Sequence, residues 1–222
     1  MEFAIDVENL EKSYGGGERR ARVLRGLSMK VGRGRSAAVV GESGSGKSTL
    51  LRILGGLDAD WRGGVRVCGE DLSAMSGERA RRFRSSKVGF VFQSSYFLPQ
   101  FTILENVLLP TLPHGGKAEA RAMALLEEVG VARTASRLPS EVSGGELQRA
   151  CVARALVNSP ELLIADEPSG SLDAESARRL LELFERLNSG GLAIIMATHS
   201  AEMASAMSMR FRLSGGRAEV SP

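Results

Sequence analysis

The chain has 222 residues, 43% of them hydrophobic and 25% charged, a composition that excludes intrinsic disorder, collagen-like repeats and low-complexity architecture. At this length a chain buries roughly 70% of its unfolded surface, enough for a sizeable core in one large domain. The net charge of +3 is a modest excess of 29 basic over 26 acidic residues, so no nucleic-acid partner is expected.

In chain order, Ala4, Ile5 and Val7 and then Val23 to Val31 alternate with polar residues on either side of Gly15-Gly16-Gly17, which predicts a small antiparallel sheet. The opening residues carry acids where a secretory leader needs basic ones, and Glu2 excludes N-myristoylation, so the protein is expected in the cytoplasm. Ser36 to Val40 is a short apolar run ending at Gly41, the pattern of a strand buried on both faces. Arg79, Arg81, Arg82, Arg84 and Lys87 fall in a helix and turn and read as a solvated face. From about 94 to 159 no buried strand is expected; Ala122, Leu125, Leu126 and Val129 form a helical stripe that Gly130 ends. Leu162 to Asp166 and Leu192 to Thr198 read as two more buried strands, with a helix between them that carries Ala177, Leu180, Leu181 and Phe184 on one face. The latter run, seven residues, is the longest apolar stretch, far short of the roughly 20 that span a membrane. Cys68 and Cys151 stand far apart without a CxxC and read as small core residues. The expected architecture is an α/β fold with a parallel-sheet core, a small N-terminal antiparallel β subdomain and an inserted helical subdomain. It forms a single domain over 1–222, its core made of 1–93 and 160–222.

Gly41-Glu42-Ser43-Gly44-Ser45-Gly46-Lys47-Ser48 fits G-x4-G-K-[ST] and stands between the predicted strand and the apolar run Leu50, Leu51, Ile53, Leu54. In such a loop the glycines let backbone N–H groups curl around phosphate oxygens, Lys47 reaches the β- and γ-phosphates, and Ser48 offers its hydroxyl to Mg²⁺. Asp166 and Glu167 follow a buried strand at its C-terminal edge, the ligand face of an open α/β sheet. Asp166 suits the Mg²⁺ shell, and Glu167 suits a general base for an attacking water. Ser143-Gly144-Gly145-Glu146 matches a capping box, yet a helix start preceded by glycines is also an anion site. The segment admits both readings.

Taken together, Tyr14, GESGSGKST (41–49), Gln93, VSGGELQR (142–149), LLIADEP (162–168), Ser171-Leu172-Asp173 and His199 resemble the nucleotide-binding subunit of an ABC transporter over nearly the whole chain. The resemblance implies the P-loop NTPase fold of that family, with ATP and Mg²⁺ as cofactors, an integral membrane permease as partner and a homodimer that sandwiches two ATP molecules head to tail. It also implies that Ser143, Gly144 and Gly145 bind the γ-phosphate held on the opposite subunit, with Glu146 beside them in that nucleotide site, and that Tyr14 stacks on adenine. In the same family pattern Thr49 closes the phosphate loop, Gln93 contacts Mg²⁺ and the attacking water, His199 bonds the γ-phosphate, and Asp173 joins the two sites across the dimer. Each has a plain structural alternative: a strand-end aromatic for Tyr14, a turn residue for Gln93, a strand-terminal histidine for His199 and a helix N-cap for Asp173. Tyr96-Phe97-Leu98-Pro99-Gln100-Phe101 after Gln93 resembles the group that holds the lipoprotein-releasing LolD subunits, MacB-type exporter ATPases and FtsE. The protein is then expected peripherally on the inner face of the cell membrane. The chain departs from the family pattern at Ser200, at Cys151 and Val152, and at Arg62-Gly63-Gly64, none of which removes a catalytic group. Soluble ABC proteins of DNA repair or translation, the competing assignment, need coiled coils, zinc modules or a second cassette that 222 residues and two cysteines do not hold. A P-loop kinase or GTPase leaves the Ser143 segment unexplained.

Overall fold

A computed structural model describes residues 2–15 and 21–221 of the chain. Strands β1 (Phe3–Tyr14) and β2 (Ala21–Gly32) pair antiparallel as the alternation predicts, while Gly16 and Gly17 of the expected turn lie outside the described residues. Ile5 and Val7 point inward until a bulge at Asn9, whose φ is 50°, shifts the phase so that Leu10 and Lys12 become the buried residues. Strand β4 (Arg62–Val67) joins on the other side of β1, and the two-residue β5 (Glu70–Asp71) closes a four-stranded sheet in the order β2-β1-β4-β5. Gly63, with φ 109°, sits where a Cβ would come within 2.4 Å of the Asn9 carbonyl oxygen. The unusual Arg62-Gly63-Gly64 sequence is therefore what lets β4 approach the bulge.

The second sheet has six strands, β10-β9-β3-β8-β7-β6. Here β3 (Ser36–Val40), β6 (Val88–Val91), β7 (Leu162–Asp166), β8 (Ala193–Ala197) and β9 (Met209–Ser214) run parallel, and β10 (Arg217–Ser221) is antiparallel at the edge. The predicted strands at 36–40, 162–166 and 192–198 are present; β6 and β9 do not read as continuous apolar runs. Side chains alternate between two cores, as strands with both faces covered require. Ala37, Val39, Ile195 and Ala197 pack with the first sheet and with helix α1 (Lys47–Leu54), whereas Ala38, Val91, Leu163, Ile194 and Met196 pack under the helices of the other face.

Helix α2 (Gly77–Ser86) carries the arginine run on an exposed surface, buries Phe83, and forms the Arg81–Glu78 and Arg79–Glu70 ion pairs. Helices α3 (Ile103–Leu108), α4 (Glu119–Glu128) and α5 (Gly144–Leu156) pack on one another, and the stripe Ala122, Leu125, Leu126, Val129 lies in their core. Between β7 and β8 runs α6 (Ala174–Ser189), burying Leu180, Leu181, Leu183 and Phe184; α7 (Ala201–Ser205) follows β8. Among the described residues no helix is long and apolar enough to cross a membrane.

Candidate functional site

Four parallel strands end at one edge of the second sheet and release the chain into Gly41, Phe92-Gln93, Glu167 and Thr198-His199. Lys47, Ser48, Thr49, Gln93, Glu167 and His199 converge there on a cleft of about 620 Å³ that Ser43, Gly44 and Gly46 also line. Gly41, Glu42 and Ser45 line an adjoining groove of about 920 Å³, together with Arg22, Arg25 and His199.

The loop is shaped for an anion. Gly46 caps α1 with φ 108°, no side chain caps the helix and no acid stands in its first turn, so its free N–H groups and the positive end of its dipole face the loop. Lys47 is buried; its Nζ donates to the carbonyl oxygens of Gly41 (2.9 Å) and Glu42 (3.1 Å) and lies 3.3 Å from His199 Nε2. The Lys47 ammonium thus stands among the residues that would receive a phosphate chain.

Glu167 adopts the left-handed conformation, φ 48°, which costs a non-glycine residue about 1–3 kcal/mol. Its N–H donates to Ala197 O (2.9 Å), and its carboxylate Oε2 accepts from the His199 N–H (3.1 Å). The strained backbone therefore holds the carboxylate across to β8 and toward the His199 ring, whose Nε2 is 3.4 Å from Oε1. Asp166 Oδ1, Glu167 Oε1 and Ser45 Oγ are buried without a hydrogen-bond donor. Two unsatisfied carboxylate oxygens at the strand edge, with the Ser48 hydroxyl in the cleft, make a donor set that fits a hard cation such as Mg²⁺ bound beside phosphate. Among the described residues no three His, Cys, Asp or Glu side chains cluster as a metal site.

Tyr14 stands beside the loop, its hydroxyl 3.1 Å from Asp58 Oδ2 and 3.5 Å from Thr49 Oγ1. Sequence reasoning missed Asp58 and Lys12. The Lys12 ammonium is buried, pairs with Asp58 at 2.7 Å and lies 4.8 Å from the centre of the Tyr14 ring. A signal existed in the spacing, since Lys12 and Tyr14 share a strand face with the buried Leu10, and a lysine there needs an acid partner. Val23 and Gly170, which also line the cleft, carried no such signal.

Ser143, Gly144, Gly145 and Glu146 do not line this cleft. The capping box they predict is present: Ser143 Oγ accepts from Glu146 N–H, and Glu146 Oε2 accepts from Ser143 N–H at 3.0 Å and its hydroxyl at 2.8 Å. The Ser143 backbone bond, with Arg133 at 2.9 Å, pushes the Glu146 carboxyl down to about 2. Asp173 caps α6 through Ser176 N–H (2.9 Å) and Ser176 Oγ (2.8 Å). At Gly145 a Cβ would meet Ser176 Oγ at 2.5 Å, so the starts of α5 and α6 lie against each other. The adjoining starts of α5 and α6 thus lie outside the lining of the nucleotide-type cleft of the same chain.

Comparison with known proteins accords with this geometry. The family model described as ABC transporter matches residues 24–170. The lipoprotein-releasing system ATP-binding protein LolD of Geobacter metallireducens is 45% identical over 98% of this chain and 98% of its own length, and that of Shewanella oneidensis is 42% identical over 99% and 97%. MJ0796, a bacterial ABC transporter cassette solved as a dimer, superposes with a TM-score of 0.89 at 32% identity, covering 97% of this chain and 96% of that one. A second dimeric structure of MJ0796, in a post-hydrolysis state bound to ADP and Pi, gives 0.85 at 30% identity. With matches of this extent on both sequence and fold, the chain belongs to the ABC transporter family, as an ATP-binding and ATP-hydrolysing subunit.

Proposed function

We propose that two copies of this chain close head to tail around two ATP molecules and energise an integral membrane partner, to which they bind peripherally on the cytoplasmic side, in the release of lipoprotein or similarly hydrophobic cargo. The observation that carries this reading is the separation within one chain of a phosphate-type cleft at Lys47 and a second helix start at Ser143. A second copy accounts for both, because the Ser143 end of one subunit completes the cleft of the other. The dimeric cassettes that the fold matches and the lipoprotein-releasing relatives support it.

In this mechanism the loop Gly41 to Thr49 cradles the phosphate chain, Lys47 leaves its loop carbonyls for the β- and γ-phosphates, and Tyr14 stacks on adenine. Ser48, Gln93 and Asp166 would hold Mg²⁺, which when bound would supply charge neutralisation at the phosphate oxygens. Glu167 orients water in line with the γ-phosphorus and accepts its proton; His199, bonded to Glu167 through its own N–H, presents its ring to the γ-phosphate. Ser143, Gly144 and Gly145 donate to that phosphate from the partner subunit, Glu146 holds the helix start in shape, and Asp173 lies in the loop that runs between the two sites. Residues 94–159 form a helical subdomain that meets the membrane partner, and 1–93 with 160–222 form the core; the mutual packing of α3, α4 and α5 supports this division.

The test is affinity capture of tagged Glu167→Gln protein from detergent-solubilised native membranes, with and without ATP. An integral membrane protein with a large extracytoplasmic domain is expected in the ATP-bound sample. Recovery of soluble protein or nucleic acid alone would overturn the membrane assignment in favour of a soluble ABC ATPase.

A further inference from the structure

On β1, Glu11 stands opposite Arg25 of β2 on one side and Arg62 of β4 on the other, and two positions further on Ser13 stands opposite Arg22. The turn between β9 and β10 brings a fourth arginine to them. Gly216, at φ 79°, accepts from the Arg25 N–H through its carbonyl oxygen (2.8 Å), and a Cβ there would lie 2.7 Å from the Val23 carbonyl oxygen. Glycine is thus what lets β10 approach β2 so closely, and the next residue is Arg217. Arg22, Arg25, Arg62 and Arg217, all exposed, line one recess of about 300 Å³ together with Glu11 and the buried Leu24.

Nothing within the fold balances this charge. Among the described residues none of the four guanidinium groups, nor Glu11, forms an ion pair. The one hydrogen bond that any of the four side chains makes there runs from Arg25 Nε to Arg22 O at 3.4 Å. Four arginines against one glutamate give the recess a net charge of +3, as large as that of the whole chain. Like charges gathered on neighbouring strands oppose folding, so stability does not explain the cluster. Nor does the nucleotide cleft, which none of the four lines, although Arg22 and Arg25 also border the groove beside the phosphate loop. The Arg62-Gly63-Gly64 departure is accounted for at Gly63 by the approach to the bulge; its arginine is not.

We infer that this recess is a second anion site, separate from the ATP cleft, for a phosphate-bearing ligand of charge two or more. Guanidinium forks meet phosphate oxygens two at a time, and carrying them on three strands of fixed register sets their spacing before the ligand arrives. A single carboxylate would leave most of the charge unbalanced, whereas a diphosphate neutralises it almost fully. That chemistry occurs both in free diphosphates and in the headgroups of acidic membrane lipids.

The experiment is calorimetric titration of the full chain with inorganic pyrophosphate, its ATP cleft first filled by a saturating non-hydrolysable ATP analogue without Mg²⁺. Wild type is expected to take up one pyrophosphate per chain. Arg62 and Arg217 line the recess but neither the cleft nor the groove beside it, so they are the residues to change. Arg62→Ser combined with Arg217→Ser should raise the pyrophosphate Kd at least about tenfold and leave affinity for the analogue within about twofold. Arg62→Lys with Arg217→Lys, which keeps the charge but not the forks, should fall between. The single serine variants, each expected to weaken binding about threefold, decide the matter should the double variant not fold. A parallel arm measures binding to vesicles of cardiolipin in phosphatidylcholine. Vesicle binding that falls with pyrophosphate binding in the double variant supports the site and makes a lipid headgroup its ligand. Vesicle binding that is unchanged while pyrophosphate binding is lost supports it with a soluble diphosphate instead. No pyrophosphate uptake by the analogue-filled protein, uptake equally tight in the serine variant, or a matching loss of analogue affinity would each overturn the second site.

Discussion

At the residue scale the site combines groups that are individually costly and jointly stable. Lys12 is a buried ammonium held by Asp58, and the same carboxylate orients the Tyr14 hydroxyl. Asp58→Ala should therefore destabilise the fold by about 1–3 kcal/mol, because it leaves the buried ammonium with only the Asp60 carbonyl oxygen and the Asp60 carboxylate at 3.7 Å, and should raise KM for ATP more than it lowers kcat, because Tyr14 loses its anchor. Chemical denaturation and steady-state kinetics read the two effects; unchanged stability would show that Asp60 alone satisfies Lys12. The cysteines behave as core residues. Burial pushes the Cys68 thiol up to about 12 and the Cys151 thiol up to about 11, so the thiolate forms only at strongly alkaline pH. Neither should react with a thiol reagent at pH 8 in the native protein, and both should react once it is unfolded. Rapid native labelling of either would contradict the burial. Asp58 was hidden from sequence reading because it partners Lys12 across 46 positions of the chain, whereas the phosphate loop was legible because its glycines, Lys47 and Ser48 are contiguous and act locally.

At the scale of elements, legibility followed the number of covered faces. Strands β3, β7 and β8 are buried on both sides and read as continuous apolar runs, Ser36-Ala37-Ala38-Val39-Val40 being the plainest. Strand β6 is only Val88-Gly89-Phe90-Val91, interrupted by a glycine whose Cβ would lie 2.5 Å from the Ala155 carbonyl oxygen, so α5 presses directly on it. Its glycine is a packing requirement that a periodicity search takes for a break. Strand β9, one in from the edge strand β10, alternates Arg210 and Arg212 with buried Phe211 and Leu213 because only one of its faces is covered. The helices were clearer: α6 buries Leu180, Leu181, Leu183 and Phe184 from a face with 3.6-residue periodicity. Phe184, fully buried beneath the sheet, should cost about 3–5 kcal/mol when replaced by alanine. The shift in denaturant midpoint measures it; a loss below about 1 kcal/mol would mean that α6 packs less tightly than its burial indicates.

At the scale of the whole molecule, the parallel sheet brings residues far apart in sequence to one edge. Lys47, Gln93, Glu167 and His199 reach the same cleft only because β3, β8, β7 and β6 lie side by side in that order. That convergence was legible as a family pattern, not as geometry; no local periodicity relates Gln93 to Glu167. The displacement of Ser143 from the cleft is equally a property of the fold, since α5 begins against α6 and not against the phosphate loop. It is this displacement that makes a second subunit necessary to the account. The most direct measurement is ATP turnover by Glu167→Gln protein together with its molecular mass in the presence of ATP. The account predicts retained ATP binding, turnover lowered by about 10²-fold or more, as loss of a general base entails, and accumulation of a dimer that wild type forms only transiently. Near-normal hydrolysis, or a variant that remains a monomer at saturating ATP, would contradict it.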